Sequence, residues 1–257
     1  MTAIWDPTQY ARFSDARTRP ARELIARIPS RPIQTIVDLG CGDGLVTRLL
    51  TERWPKARIT GIDSSSQMLA IAHDACPGVR FVEADIATWS SGGPVDLFFS
   101  NAALQWLDDH QTLMPWLFSQ LSPSGVFAVQ MPGNYDAPSH RALTTLAKSD
   151  RWRAQTGDLV RSNPVAAPAA YLDFLGSEVA LFDSWETTDY LLLDGSDPVL
   201  EWMKGTALRP YLSALPPSDA ARFMAELARL FAEAYPARAD GETVFPFRRI
   251  YFIATRK

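Results

Sequence analysis

Cysteine, long apolar runs and excess positive charge are scarce in this chain of 257 residues, and each scarcity excludes a class of protein. Two cysteines, Cys41 and Cys76, are too few for a disulfide framework and are typical of a reducing, cytoplasmic location. No apolar run approaches the roughly 20 residues of a membrane-spanning helix, and residues 1–7 lack the basic and apolar regions of a secretory signal. The formal net charge of −4 disfavours a general nucleic-acid binder. We therefore expect neither a membrane nor a nucleic acid as a partner.

Lysine and histidine are also rare. Lysine occurs only at positions 56, 148, 204 and 257, so nearly all of the 25 cationic residues are arginine. Arginine binds carboxylates and phosphates through paired hydrogen bonds, although the codon usage of a GC-rich genome explains the same excess. The three histidines, His73, His110 and His140, are expected at the surface or at helix ends. No Ser–His–Asp or Cys–His arrangement is visible, so we expect no catalytic acid–base residue and no metal site.

Residues 33–131 alternate short β-branched runs with helix-like stretches. Apolar strands separated by helices indicate parallel βαβ units in a sheet that is buried on both faces. Right-handed crossovers turn such units into a doubly wound α/β sheet. The pattern predicts strands at residues 33–39, 58–62, 79–82, 95–100 and 126–131, and helices at residues 45–54, 65–75 and 111–121.

The pattern changes after Pro132. Prolines at 216, 217 and 236 bracket an amphipathic helix predicted over residues 218–235. A helix is also expected over 137–150, a loop over 157–170, and strands over 185–193 and 249–255. We expect one domain over residues 1–257. Its core is predicted at about residues 30–135, 178–195 and 245–257, and its helical cap at about residues 1–29, 136–177 and 196–240.

The densest motif lies at the junction of the first strand and the first helix, where glycine occupies positions 40, 42 and 44. Glycines there permit a tight turn and let backbone N–H groups approach a ligand closely. A dinucleotide-binding fingerprint would require glycine where Leu45 stands. Asp38, just ahead of the glycines, suits a ligand with an ammonium group better than a pyrophosphate. A tight turn that binds no ligand is the alternative interpretation.

Polar residues follow the next three predicted strands. Asp63 closes the second strand, where a carboxylate can accept hydrogen bonds from a ribose diol or cap the following helix. Asp85 follows the third strand, where it can accept a hydrogen bond from the amine of adenine or begin a turn. Asn101 ends the fourth strand. Because ligands bind at the carboxyl ends of strands in open α/β sheets, the set indicates one site.

Residues 30–135 and the terminal strand resemble the class I S-adenosylmethionine-dependent methyltransferases. The resemblance implies a seven-stranded, mostly parallel sheet of order 3-2-1-4-5-7-6 with an antiparallel seventh strand. It also implies S-adenosylmethionine as the methyl donor and S-adenosylhomocysteine as the product. The residues implied for donor binding are Asp38, Gly40, Gly42 and Gly44 at the methionine moiety, Asp63 at the ribose with Ser64 beside it, Asp85 and Ile86 at the adenine, and Asn101 near the sulfonium.

Motifs along almost the entire chain resemble one branch of this class, the trans-aconitate methyltransferases. They include the segments at residues 5–7, 101–106, 129–132 and 208–211, and the likeness is weakest between about 145 and 180. The resemblance implies esterification of a carboxylate of trans-aconitate to the monomethyl ester. A carboxylate is ionised at pH 7, so it needs no general base. The residues expected to bind the substrate are Trp5, Tyr10, Arg17, Trp106, Arg209, Tyr211 and Arg248.

Two alternatives keep the methyl donor but change the function. One is methyl transfer to another acceptor, such as a carrier-bound malonyl group. An acidic carrier would need a basic surface, which the net charge of −4 does not favour. The other is a non-catalytic protein that binds the donor as a sensor or scaffold, against which the intact glycine loop and acidic residues argue. The sequence does not indicate an oligomeric state.

Overall fold

The computed structural model of the protein describes residues 14–257, with side chains from residue 18 onward. Trp5, Tyr10 and the side chain of Arg17 lie outside this described part. The helices are α1 (Ser14–Arg27), α2 (Leu45–Arg53), α3 (Ser66–Ala75), α4 (His110–Ser119), α5 (Pro138–Ala147), α6 (Arg153–Thr156), α7 (Pro168–Leu175), α8 (Pro198–Lys204), α9 (Arg209–Ala214) and α10 (Pro217–Ala234). The strands are β1 (Thr35–Leu39), β2 (Arg58–Asp63), β3 (Arg80–Glu83), β4 (Val95–Asn101), β5 (Leu121–Pro132), β6 (Val179–Leu193) and β7 (Thr243–Arg256).

The strands form one sheet in the order β3-β2-β1-β4-β5-β7-β6. Strands β1 to β5 pair in parallel. β7 runs antiparallel to β5, because the Arg248 carbonyl accepts from the Gly133 N–H at one end of the pair. At the other end the Arg256 side chain donates to the Leu121 carbonyl. The prediction of a doubly wound, mostly parallel seven-stranded α/β sheet is confirmed.

Three strands at one side of the sheet are longer than the sequence predicts. β5 begins at Leu121 rather than residue 126, β6 at Val179 rather than 185, and β7 at Thr243 rather than 249. The added residues include Pro123 and Pro246, and proline argues against a strand because it donates no ladder hydrogen bond. β6 occupies the edge of the sheet, and its added residues begin with the short apolar run 179–182, in which Leu181 is 65% exposed.

The predicted helices agree with the structure to within three residues at each end. The segment 157–170, expected to be a loop, instead contains a 3₁₀ turn at Gly157–Leu159 and the beginning of α7. Pro168 is the first residue of α7. Proline is favourable there because the first turn of a helix has N–H groups without intrahelical partners. The loop prediction therefore holds for residues 160–167 and was wrong at its two ends.

The chain divides into two compact units. Of the residues described, the first unit, which we call the sheet unit, comprises 14–132, 164–186 and 250–257. The second, the helical unit, comprises 133–163 and 187–249. The expected single domain with a core and a cap stays a prediction.

One face of the sheet unit is covered by α1, which packs against β5. Ala21 and Leu24 of this helix join a buried apolar cluster with Phe99, Ala128 and Tyr251 of the sheet. Each fully buried Leu or Phe side chain contributes about 1.5–3 kcal/mol to folding. The first helix is therefore fixed over the β4 and β5 region of the sheet.

The core of the helical unit forms around α10, whose buried residues include Phe223 and Phe231. α10 packs against α5. Trp152 meets the Phe223 ring edge-on at 5.3 Å and donates through its indole N–H to Glu226. The amphipathic pattern in the sequence therefore marks a buried helix face. In the part of the chain described, no helix has the length and apolar character needed to cross a membrane.

Candidate functional site

The glycine loop joins β1 to α2 and turns through backbone conformations that side chains disfavour. Gly40, Gly42 and Gly44 have φ angles of 76°, 56° and 80°. The N–H groups of Gly40 and Cys41 donate to the Ile62 carbonyl at 2.8 and 3.0 Å, which fixes the loop to β2. A Cβ atom at Gly40 would lie 2.1 Å from the Ala103 Cβ, so only glycine fits there.

Asp38 lies beneath this loop. Its side chain is 1% exposed, and Oδ2 accepts a hydrogen bond from the Thr47 hydroxyl at 2.6 Å. Burial raises the pKa of Asp38 to about 7; the Thr47 hydrogen bond opposes this shift, and the charge of Asp63 adds to it. The described contacts of Asp38 therefore hold α2 under the loop, and its expected role toward an ammonium group stays a prediction.

Cys41 occupies the loop between two of the glycines and is buried. Burial raises the pKa of its thiol far above the usual range, and the nearby charges of Asp38 and Asp63 raise it further. The Cys41 side chain therefore stays a protonated thiol at neutral pH.

Asp63, at the end of β2, connects the glycine loop to the start of α3. One carboxylate oxygen accepts from the Gly42 N–H and the other from the Ser65 N–H, each at 2.9 Å. Ser65, not Asp63, is the N-cap of α3, because its hydroxyl accepts from the Met68 N–H. Partial burial raises the pKa of Asp63, while these backbone hydrogen bonds oppose that shift. Ser64 is exposed beside it.

Asp85 and Ile86 follow β3. The Asp85 carboxylate accepts from the Ala87 N–H at 2.9 Å, so the expected turn is present, and the side chain is otherwise exposed. Ile86 is buried, and its Cδ1 lies 3.8 Å from the position of a Cβ at Gly40. The carboxyl end of β3 therefore reaches the glycine loop.

Asn101 and Gln130 form a pair of which the sequence predicted only Asn101 as a site residue. They are register partners near the ends of β4 and β5. Ala102, which follows Asn101 and has a φ of 55°, donates its N–H to the Gln130 carbonyl. Gln130 is 0% exposed. Neither side-chain atom of Gln130, nor Oδ1 of Asn101, has a hydrogen-bond partner among residues 14–257. Each such buried polar group costs about 1–3 kcal/mol. A glutamine inside the apolar run of β5 was the signal that could have identified the pair.

The helical unit contains three of the residues expected to bind substrate. Arg209 begins α9. Tyr211 is buried, donates to the Leu159 carbonyl at 3.3 Å, and stacks on Phe223. Burial, with the Tyr135 hydroxyl contributing, raises the pKa of Tyr211 to about 12, so it remains neutral. The described contacts of Tyr211 are therefore those of a packed side chain.

Arg248 lies within β7, rather than ahead of the strand. Its Nη1 donates to the Gly133 carbonyl at 3.4 Å, and its side chain lines a cavity of about 690 Å³ in the helical unit. The neighbouring Arg249 is 4% exposed and pairs with Asp189 at 2.7 Å. Of these two arginines, Arg248 is therefore the one that reaches a cavity.

His110 and His140 lie in the first turns of α4 and α5, as the expectation of helix-end positions requires. His110 is buried, with Nδ1 2.9 Å from the Tyr171 hydroxyl and Nε2 2.9 Å from the Leu104 carbonyl. Burial lowers the pKa of His140 to about 4. His73 is exposed, as expected. The burial of His110 depends on Tyr171 of α7, which lies 61 residues away in the sequence.

The sheet unit brings together most of the residues expected to bind a donor: Asp38, Gly40, Gly42, Gly44, Asp63, Ile86 and Asn101. Asp85 and Ser64 lie on the exposed rim of the same strand ends. Trp106 follows β4 in a 3₁₀ turn and is 40% exposed. Each of these binding roles stays a prediction.

Comparisons with known proteins identify the family. A family model described as "Methyltransferase domain" matches residues 36–125. A protein of Azoarcus sp. strain BH72 named trans-aconitate 2-methyltransferase is 44% identical over 98% of this chain and 99% of its own length. A protein of the same name from Streptomyces avermitilis is 48% identical over 98% of this chain and 97% of its own.

Solved structures agree on the fold. Coclaurine N-methyltransferase bound to N-methylheliamine and S-adenosylhomocysteine matches 93% of this chain and 72% of its own, at 14% identity and a TM-score of 0.57. The phospholethanolamine N-methyltransferase 2 of Haemonchus contortus matches with a TM-score of 0.55 and 15% identity; the match covers 93% of this chain and about half, 52%, of that protein. With near full-length relatives above 40% identity, the chain belongs to the trans-aconitate 2-methyltransferase family.

Proposed function

We propose that this protein transfers the methyl group of S-adenosylmethionine to a carboxylate of trans-aconitate and releases the monomethyl ester. The observation that carries the proposal is the convergence of the glycine loop, Asp63 and Asn101 at the carboxyl ends of adjacent strands. The relatives named trans-aconitate 2-methyltransferase support the choice of acceptor.

The residues of the sheet unit fit this methyl donor. The Asp63 carboxylate uses one acceptor position on each oxygen for a backbone N–H, which leaves further lone pairs for the hydroxyls of a ribose. A Cβ at Gly42 would meet only the Met68 side chain, at 3.5 Å, so the loop has space above it. Three acidic residues near the loop, Asp38, Asp43 and Asp63, complement a ligand with positively charged ammonium and sulfonium groups.

The proposed reaction requires the protein to position the methyl donor and the acceptor carboxylate, and it requires no proton transfer. When bound, S-adenosylmethionine supplies a methyl group on positively charged sulfur. The acceptor carboxylate is already ionised at pH 7, so the protein needs no base to activate it. Alignment of two reactants is worth about 7–11 kcal/mol in favourable systems, and exclusion of water strengthens the attraction between opposite charges. The contacts of His110, with a tyrosine and a backbone carbonyl, are consistent with a structural role.

The residues proposed to bind the acid are Trp5, Tyr10, Arg17, Trp106, Arg209, Tyr211 and Arg248. Arginine suits the role because hydrogen bonds between charged partners contribute about 1.5–3 kcal/mol each. Tyr211 is the weakest member of the set, since its hydroxyl already donates to a backbone carbonyl.

The test is transfer of a labelled methyl group to a panel of di- and tricarboxylates, with mass analysis of the product. We expect a monomethyl ester from trans-aconitate, and a product that alkali hydrolyses. Isothermal titration with S-adenosylhomocysteine alone is the control for a folded donor site. Donor binding without an ester from any small acid would contradict the acceptor assignment and leave a carrier-bound acyl group or a sensor role as the explanation.

A further inference from the structure

Gln130 is a buried polar residue that is not among the residues expected to bind the donor or the substrate. It stands in β5 between Val129 and Met131, both 0% exposed, and is itself 0% exposed. Its amide nitrogen and oxygen have no hydrogen-bond partner among the residues described. Folded proteins rarely leave a buried side chain in this state unless a ligand or an ordered water molecule supplies the missing contact. Gln130 is therefore a candidate for direct contact with a ligand.

The position of Gln130 separates it from the residues expected to hold the donor. Those residues follow β1, β2 and β3, whereas Gln130 lies on β5, on the far side of β4. Neighbouring strands are about 4.8 Å apart, so the end of β5 lies roughly 10 Å from the glycine loop. That separation places Gln130 beyond Asn101, which is the residue expected near the sulfonium.

Strand geometry also fixes the face on which Gln130 lies. Asn101 and Gln130 are register partners, and residues opposite one another in a sheet project from the same face. Ala128, two residues earlier on β5, belongs to the apolar cluster that α1 covers. Gln130 therefore lies on the α1 face of the sheet, at its carboxyl end, where covering elements exclude water.

The chemistry of the unpartnered atoms selects the ligand. The Gln130 amide nitrogen is a hydrogen-bond donor and requires an acceptor oxygen, which an ionised carboxylate supplies. An uncharged amide can orient a carboxylate without binding it as strongly as arginine does, so the oxygen keeps its nucleophilic character. We propose that Gln130 donates a hydrogen bond from Nε2 to the reacting carboxylate of the acceptor, next to Asn101. This assignment rests on the proposed function and deepens it.

The test replaces Gln130 with methionine, which has a similar unbranched shape and no hydrogen-bonding amide. We expect the Gln130→Met variant to lose 10- to 100-fold in kcat/KM for trans-aconitate, with a Kd for S-adenosylhomocysteine within twofold of wild type. We also expect its Tm to rise, because the substitution removes two buried polar atoms that have no partner. A residue with only a structural role would lower the Tm and leave kcat/KM unchanged.

Gln120, the residue just before β5, offers a matched control. Its Nε2 is also buried without a partner in the described part of the chain, while its Oε1 accepts from the Ser91 N–H. Leu121, the next residue, pairs with Val95 and Gln130 pairs with Asn101, so six residues of β4 span the distance between them, roughly 20 Å. Gln120→Met should lower the Tm, since it leaves the Ser91 N–H unpaired, and should leave kcat/KM unchanged.

A second substitution uses charge. Gln130→Glu places a carboxylate against the proposed acceptor carboxylate, so we expect KM for trans-aconitate to rise at pH 8 and to fall toward the wild-type value as acid protonates the new side chain. Unchanged kcat/KM in Gln130→Met, or a loss of donor affinity in its place, would overturn the assignment of Gln130. A wild-type protein that makes no ester from trans-aconitate would instead overturn the proposed function.

Discussion

The two units of this protein hold their polar side chains in different ways. In the sheet unit, Asp63 accepts from backbone N–H groups of a turn whose glycines no other residue can replace without strain. In the helical unit, Tyr211 and Arg248 reach carbonyl groups far away along the chain, at Leu159 and Gly133. The first arrangement can be predicted from the local sequence, because both the turn and a ligand that approaches its backbone require glycine. The arrangement in the helical unit depends on which distant segments of the chain meet.

The largest expected effect tests whether donor binding in the sheet unit depends on the conformation of the glycine loop. Gly40→Ala combines a positive φ with a 2.1 Å approach to the Ala103 Cβ, whereas Gly42→Ala meets only Met68 at 3.5 Å. We expect Gly40→Ala to cost about 3 kcal/mol or more and to abolish donor binding. Gly42→Ala should cost about 1–2 kcal/mol. Urea unfolding and titration with S-adenosylhomocysteine measure both.

Gly92→Ala is the control for strain alone, since its φ is 69° and nothing lies within 4 Å of the added Cβ. It should resemble Gly42→Ala in stability and leave donor affinity at the wild-type value. Equal losses for all three variants would show that backbone strain, and not the close approach at Gly40, decides the result.

This contrast explains how much the sequence predicted. The glycine turn and the acids at the strand ends follow from local pattern, the order of the strands follows from the resemblance to the class I methyltransferases, and the sheet was confirmed. The glutamine inside the apolar run of β5 could have marked Gln130 as buried, but its lack of partners depends on what β4 and α1 place around it. Tyr211 was expected to bind the substrate, but its hydroxyl donates to the Leu159 carbonyl, 52 residues earlier in the chain, and the local sequence does not show that contact.

A smaller effect tests the helical unit. Arg209→Ala should raise KM for trans-aconitate about 10- to 100-fold, the equivalent of one hydrogen bond between charged groups, and leave KM for the methyl donor within twofold. Steady-state kinetics with each substrate varied in turn measures the two constants.

Arg222 supplies the control in the same unit, because its ion pair with Asp219 is solvent-exposed on the arginine side and such pairs contribute little. Arg222→Ala should change neither KM. If Arg209→Ala raises both constants equally, then Arg209 maintains the fold of α9 and does not bind the acid.

The last prediction concerns the pH dependence of stability in the sheet unit. The pKa of Asp38 is about 7 in the folded protein and near 3.8 when unfolded, so the folded state binds more protons between these values. The free energy of unfolding should therefore fall as pH rises from about 4 to 7, by at most about 1.4 kcal/mol per pH unit from this group. Asp38→Asn should remove that slope. Parallel wild-type and variant curves from urea unfolding at pH 5 to 8 would contradict it.

The state of the Cys41 thiol has a consequence for the selectivity of the reaction. Thiolates are strong nucleophiles, while protonated thiols are weak ones. Cys41 lies in the loop proposed to bind the methyl donor. If its thiol ionised, the resulting thiolate could accept the methyl group in place of the substrate. Because burial and two neighbouring carboxylates keep the proton on that sulfur, the loop tolerates a cysteine without offering a rival target.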